Sequence, residues 1–238
     1  MPAVGPALIG PNAVLQTAWA MERHIGAEAM REVLEIAGVL PLPAGDAMIA
    51  EADALRLHHA LAALHPDEAE AIVLEAGEGT ADYIIAHRIP WAAAWALRRL
   101  PAPIAARLLM KAIAGHAWTF IGAGVFTITG PWHFTIDRAA AGDAGGAPLT
   151  LFLWYAAVFA RLYATLVRSG SGCTGGAPDP RFPYRWHYRI APVKAGAAPV
   201  RVARQAPAAS LRAPAPMSAA RRRPASPAPP TSRAASRS

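Results

Sequence analysis

The sequence predicts an α+β fold, in which a helix-rich N-terminal half packs on a small antiparallel sheet and a disordered tail follows. Three observations predict it. Apolar residues recur at three- and four-residue spacing from Val14 to Ile113, and the spacing drops to two over Val125–Thr129. From Ala191 onward, Ala, Pro, Arg and Ser dominate the text. Residues 1–100 are therefore expected to form a helical part, 101–190 an α+β part and 191–238 a tail.

Residues 10–26 read as a first helix, capped at Asn12, with Val14, Leu15, Ala18, Trp19 and Ile25 on one face. A second, Ala27–Ala37, carries Met30, Val33, Leu34 and Ile36 and stops at Gly38. Prolines break residues 39–48. Glu51–Leu64 resumes as a helix, with Leu55, His58, Leu61 and Ala62 spaced for one face. Adjacent histidines on a helix point about 100° apart, so His58 and His59 do not share an ion; one is expected half-buried and the other solvated. Pro66 opens the next helix, whose early acids Asp67, Glu68 and Glu70 suit the positive end of its dipole. That helix ends before Pro90. Gly77 and Gly79 inside it each cost about 1 kcal/mol relative to Ala, which implies the close approach of a neighbouring helix or a ligand. Glu75, Glu78 and Asp82 share a face of it, either as a cluster or as a solvated surface.

Trp91–Leu100 reads as another apolar helix. In the next, from Leu100 to Gly115, Ile104, Leu108, Leu109, Ala112 and Ile113 form the apolar face, with Arg107 and Lys111 opposite. His116, Trp118 and Phe120 then arrive on alternate residues, before Gly122 and Gly124. Such a junction either lines an aromatic pocket for a flat ligand or fills the core. Val125–Thr129 and Trp132–Ile136 read as a hairpin around Gly130–Pro131, followed by a loop over 137–148. Leu149–Val167 is a long helix with Trp154, Tyr155, Val158, Phe159, Leu162 and Leu166 on a broad apolar face. Residues 169–180 read as a loop and Phe182–Tyr188 as a last strand.

Composition narrows the function classes. The net charge of +7 is uneven: twelve cations and no acid follow from Arg181 onward, and 7 less 12 leaves −5 for residues 1–180. An acidic folded part argues against a nucleic-acid-binding domain. The single cysteine, Cys173, excludes an internal disulfide and a multi-cysteine metal site. The start MPAVGPALIGPNAVL lacks the basic region of a secretory signal. Twenty-five residues between Lys111 and Asp137 carry no Asp, Glu, Lys or Arg, but their glycines, Pro131 and period-two half read as helix end plus hairpin, not a membrane span. Gly170–Gly175 matches GxGxxG formally, yet it follows a helix, opens none, and has no acid some 20 residues on, so it is not a dinucleotide site.

The segments EAGEGTADYIIAHRIP (75–90) and LLMKAIAGHAWTFIGAGVF (108–126) resemble the bacteriochlorophyll 4-vinyl reductase family. WYAAVFARLYATLV (154–167) is similar to that family's long C-terminal helix and DPRFPYRW (179–186) to its closing strand, so the resemblance spans roughly residues 10–188. It implies a small-molecule-binding α+β domain related to vesicle-tethering (TRAPP) subunits. It also implies bacteriochlorophyll biosynthesis, with reduction of the 8-vinyl group (4-vinyl in older numbering) of divinyl protochlorophyllide. The ligand would then be a magnesium tetrapyrrole. His116 is the first choice of axial ligand to Mg and His87 the second. Trp118, Phe120 and Tyr83 would wall the ring, joined by Trp154 and Tyr155, and Arg88 would pair with a propionate unless it bridges to Asp82. Tyr83 or His116 would give the proton. The hydride must come from a nicotinamide such as NADPH, a flavin or an iron–sulfur partner. Two hypotheses follow: a reductase with an unrevealed donor site, or a carrier that delivers the pigment to another enzyme of the pathway. Either implies a cytoplasmic protein, with peripheral contact at the photosynthetic membrane. The chain departs from the family pattern at its cysteines. Leu151–Leu153 stand where a Cys precedes the WYAA-type helix, and only Cys173 matches the later pair. The arginine-rich extension past Arg189 also lies outside the pattern.

Overall fold

Leu8–Ile9 (β1) leads into a long helix, Asn12–Ala37 (α1), in a computed structural model that describes residues 7–139, 147–176, 184–193 and 200–202. Every described residue lies in one compact unit, Met1–Arg204. Helix α1 breaks at Gly26, where φ is +83°, so the two helices read from the sequence meet where expected. Pro11, not Asn12, holds the N-terminal cap position, and no side chain caps the helix there. Gly38 closes α1 in the left-handed conformation, its N–H donating to the carbonyls of Glu35 and Leu34. Ile49–Ala50 (β2) pairs antiparallel with β1. Glu51–Leu64 (α2), Ala69–His87 (α3), Trp91–Arg99 (α4) and Ala102–Gly115 (α5) follow, then a single helical turn, Trp118–Ile121 (α6).

Val125–Gly130 (β3) and His133–Asp137 (β4) form the expected hairpin, with a register irregularity before Gly130. Leu149–Leu166 (α7), Ser171–Gly176 (β5), Arg185–Pro192 (β6) and Val200–Val202 (β7) complete the unit. The main sheet runs β3-β4-β6-β5-β7 and is antiparallel except at β5–β7, which pair in parallel. Two sequence readings give way here. The segment read as a loop over 169–180 contains strand β5, and structure continues past Ala191 into β6 and β7. Ser171–Gly176 has no alternating apolar pattern; its strand exists because β6 and β7 supply ladder partners on both sides. Residues 140–146 and 177–180 of the expected loops, 182–183 of the expected last strand, and 194–199 and 203–238 of the expected tail lie outside the described residues.

Helix α7 is the core. It is long and apolar enough to cross a bilayer by composition, yet it is largely buried inside the fold. Tyr188 and Trp186 of β6 and Phe134 of β4 face it, stacking as Phe134–Phe159 (3.9 Å), Phe134–Tyr188 (4.7 Å) and Phe152–Trp186 (4.1 Å). On its other side α3 approaches so closely that a Cβ on Gly77 would lie 2.6 Å from the Ala157 Cβ and 2.7 Å from the Trp154 carbonyl oxygen. Helix packing, not a ligand, is what Gly77 serves.

Candidate functional site

Glu51, the first residue of α2, turns its side chain back into the fold. Its carboxylate accepts from Arg138 Nη1 at 2.7 Å and from the Ala123 N–H at 3.0 Å. Arg138, just past the end of β4, is 1% exposed, and Glu51 is 7% exposed. Arg138 also donates to the Ile121 carbonyl at 3.3 Å and lies 3.5 Å from the Tyr155 hydroxyl, which itself donates to the Phe120 carbonyl at 3.2 Å. Gly122 makes room for this arrangement. Its φ of +61° and ψ of −120° suit glycine alone, and a Cβ there would collide with the Glu51 carboxylate.

Around the ion pair, Ile9, Ala13, Ala54, Leu55, Phe120, Leu151, Trp154 and Tyr155 wall an apolar, aromatic cleft. Its free space is about 10 Å³, room for about one water molecule. One turn beyond Ala54 on the same face of α2 lies His58, fully buried. Both of its ring nitrogens and the Trp154 Nε1 are buried without hydrogen-bond partners. Burial, reinforced by neighbouring His59 and Arg138, pushes the His58 pKa down to about 3, so the imidazole is neutral. His59 is exposed, as expected of one of the two, whereas His58 is fully buried and not half-buried.

Of the residues singled out in the sequence, the structure brings Phe120, Trp154 and Tyr155 together at this cleft. His116 is exposed, its Nδ1 3.0 Å from the Ala112 carbonyl, and Trp118 is also exposed. The cause is local: residues 118–121 form a helical turn instead of extended chain, so His116, Trp118 and Phe120 do not share a direction. Tyr83, His87 and Arg88 gather at the far end of α3, with the Tyr83 and His87 rings 4.6 Å apart and the Arg88 guanidinium 5.9 Å from the Tyr83 ring centre. Asp82 pairs with Arg161 (2.8 and 3.0 Å), and Glu75 with Arg23 and His24 of α1. Sequence reasoning missed Glu51 and Arg138 as a pair. The available signal was an arginine placed directly after a hairpin strand.

The GxGxxG segment has its backbone committed to β5, paired on both edges. Among the described residues no three of His, Cys, Asp and Glu converge to hold a metal.

No protein-family model matches the chain. It is 42% identical over 192 residues to the bacteriochlorophyll synthase 23 kDa chain of Cereibacter sphaeroides, covering 75% of this chain and 92% of that one. Against the protein of the same name from Rhodobacter capsulatus it is 41% identical over 162 residues, covering 67% and 75%. The chain belongs to the bacteriochlorophyll synthase 23 kDa chain family. Membership places it in bacteriochlorophyll biosynthesis. The fold of this family member is also that of solved H-NOX proteins. The Fe(II) unliganded H-NOX protein from K. algicida aligns with a TM-score of 0.51 at 10% identity, covering 76% of this chain and 95% of that one. A point mutant of it aligns at 0.52, covering 79% and 98%. At that identity the likeness concerns the fold alone.

Proposed function

We propose that this protein binds a magnesium tetrapyrrole intermediate, divinyl protochlorophyllide, in the cleft between α2, α6 and α7, and holds it for reduction of its 8-vinyl group. The observation that carries the reading is the polar content of an otherwise apolar, aromatic cleft. The Arg138 guanidinium, held against Glu51, is the buried positive charge that a propionate would meet. Behind the cleft wall, one turn beyond Ala54, the neutral and unpartnered His58 imidazole can ligate Mg without first losing a proton once the cleft opens. The names of the relatives and the motifs at 75–90 and 108–126 support the same pathway, and the small-molecule-binding domain of the TRAPP-related 4-vinyl reductase type belongs to this proposal. The cleft is nearly closed, so entry of the ring requires α6 and the 122–124 turn to swing outward. A single turn hinged at Gly122 is suited to that motion.

A second reading, a carrier that leaves the chemistry to another enzyme, has its own support in the commitment of the GxGxxG backbone to the sheet. Reduction needs a hydride and a proton, and NADPH is the donor to test. Titrating the protein with divinyl protochlorophyllide while following the Soret band, then adding NADPH, separates the two. Binding followed by appearance of the 8-ethyl product supports a reductase. Binding without conversion under any donor supports the carrier. Absence of binding overturns both. The double variant E51Q/R138M, which removes the charges together and spares the fold a lone buried ion, is expected to bind pigment at least tenfold more weakly, the loss of one charged hydrogen bond.

A further inference from the structure

The exterior of α4, α5 and α6 carries a surface that pigment binding does not explain. Helix α4 turns Ala94 and Leu97 inward, and α5 turns Ala105, Ala106, Leu109 and Met110 inward. Their outward faces present Trp91 (81% exposed), Trp95 (54%), Ile104 (46%) and Leu108 (50%), and Trp118 at the start of α6 is 61% exposed. Consecutive elements, of which α4 and α5 contact each other, rarely leave so many large apolar side chains in water unless something covers them. The charges among them have one sign. Arg98, Arg99, Arg107 and Lys111 lie on these helices, and no Asp or Glu occurs from Tyr83 to Ile136.

Indole rings and aliphatic tips interleaved with cations are the chemistry of a bilayer interface. Tryptophan sits at headgroup depth, aliphatic side chains reach the acyl boundary, and Arg and Lys stems lie along the apolar surface while their charges meet lipid phosphates. We propose that the α4–α6 face docks this protein on an anionic lipid bilayer. It goes beyond the pigment reading and stands without it.

The test uses pigment-free, full-length protein and vesicles of phosphatidylcholine with or without phosphatidylglycerol, some carrying brominated acyl chains. The expected result is co-sedimentation with the anionic vesicles, a blue shift of tryptophan emission, and quenching by the brominated lipid. I104S/L108S, which alters two half-exposed positions and leaves the core intact, is expected to weaken partitioning about thirtyfold. R107S/K111S is expected to weaken it about 25-fold on the anionic vesicles. The basic C-terminal residues provide an internal contrast, because no Trp follows Trp186. Vesicle binding without bromine quenching would assign the lipid contact to those residues and overturn the proposal. So would no vesicle binding, or a concentration-dependent dimer that shields the tryptophans without lipid, which would make a second copy the occupant.

Discussion

At His58 burial outranks protonation. The ring has no partner for either nitrogen, and each buried unmet polar atom costs about 1–3 kcal/mol. The unfolded chain takes up a proton near pH 6.5, whereas the folded ring resists until about pH 3. Its contribution is therefore full above pH 6.5 and declines as pH falls from 6.5 towards 3, by up to about 1.4 kcal/mol per pH unit. H58L should be more stable than the parent at pH 7 by about 1–2 kcal/mol, show a shallower loss of stability in acid, and bind pigment more weakly. Urea unfolding at pH 7 and pH 5 checks the first two; a variant less stable at pH 7 would show that the ring's packing outweighs its unmet polar atoms. The Glu51–Arg138 pair marks the limit of sequence reading at this scale. Each residue taken alone looks like an ordinary helix-start acid and a strand-end base. Only the chain reversal that brings residues 87 apart together makes them a buried pair.

Among the elements, the two glycines of α3 make the sharpest contrast. Both cost helix propensity, but what a side chain would meet differs. At Gly77 it is the backbone and Cβ of α7, while at Gly79 it is the end of the flexible Gln16 side chain. G77A should therefore destabilise by about 1–3 kcal/mol through forced separation of α3 and α7. G79A should be neutral or stabilising by up to about 1 kcal/mol, since Gln16 can move aside. Thermal unfolding of the pair checks this, and equal effects would contradict it. Helix α5 shows how periodicity identifies a helix and still misassigns its faces. The stripe through Ile104 and Leu108 has the stronger apolar signal, yet the small residues Ala105 and Ala106 go inward with Leu109 and Met110. Alanines allow close approach to the body of the fold, and the larger side chains beside Arg107 and Lys111 are left outside.

Within the unit Met1–Arg204 the helices and the sheet close over α7, and Cys173 of β5 is buried there. Burial pushes its thiol pKa well above the ordinary value. Iodoacetamide should accordingly leave the native protein unlabelled and modify Cys173 only as fast as the fold opens globally. Labelling at the rate of a free thiol under native conditions would show that the β5–β7 edge opens on its own.

The sequence by itself determined the helices α1 to α5 and α7, the β3–β4 hairpin, the break at Gly26 and the pathway in which the family works. These follow from local periodicity, from glycine's freedom at positive φ, and from motifs that survive as contiguous text. Only the tertiary structure decided that Ser171–Gly176 is a strand, that Phe120, Trp154 and Tyr155 share a cleft while His116 and Trp118 face solvent, and that Glu51 meets Arg138. Each of those depends on partners distant in the chain. A glycine-rich segment becomes a strand only when neighbouring strands offer their hydrogen bonds, and an ionised pair enters the core only when the fold supplies both halves at once.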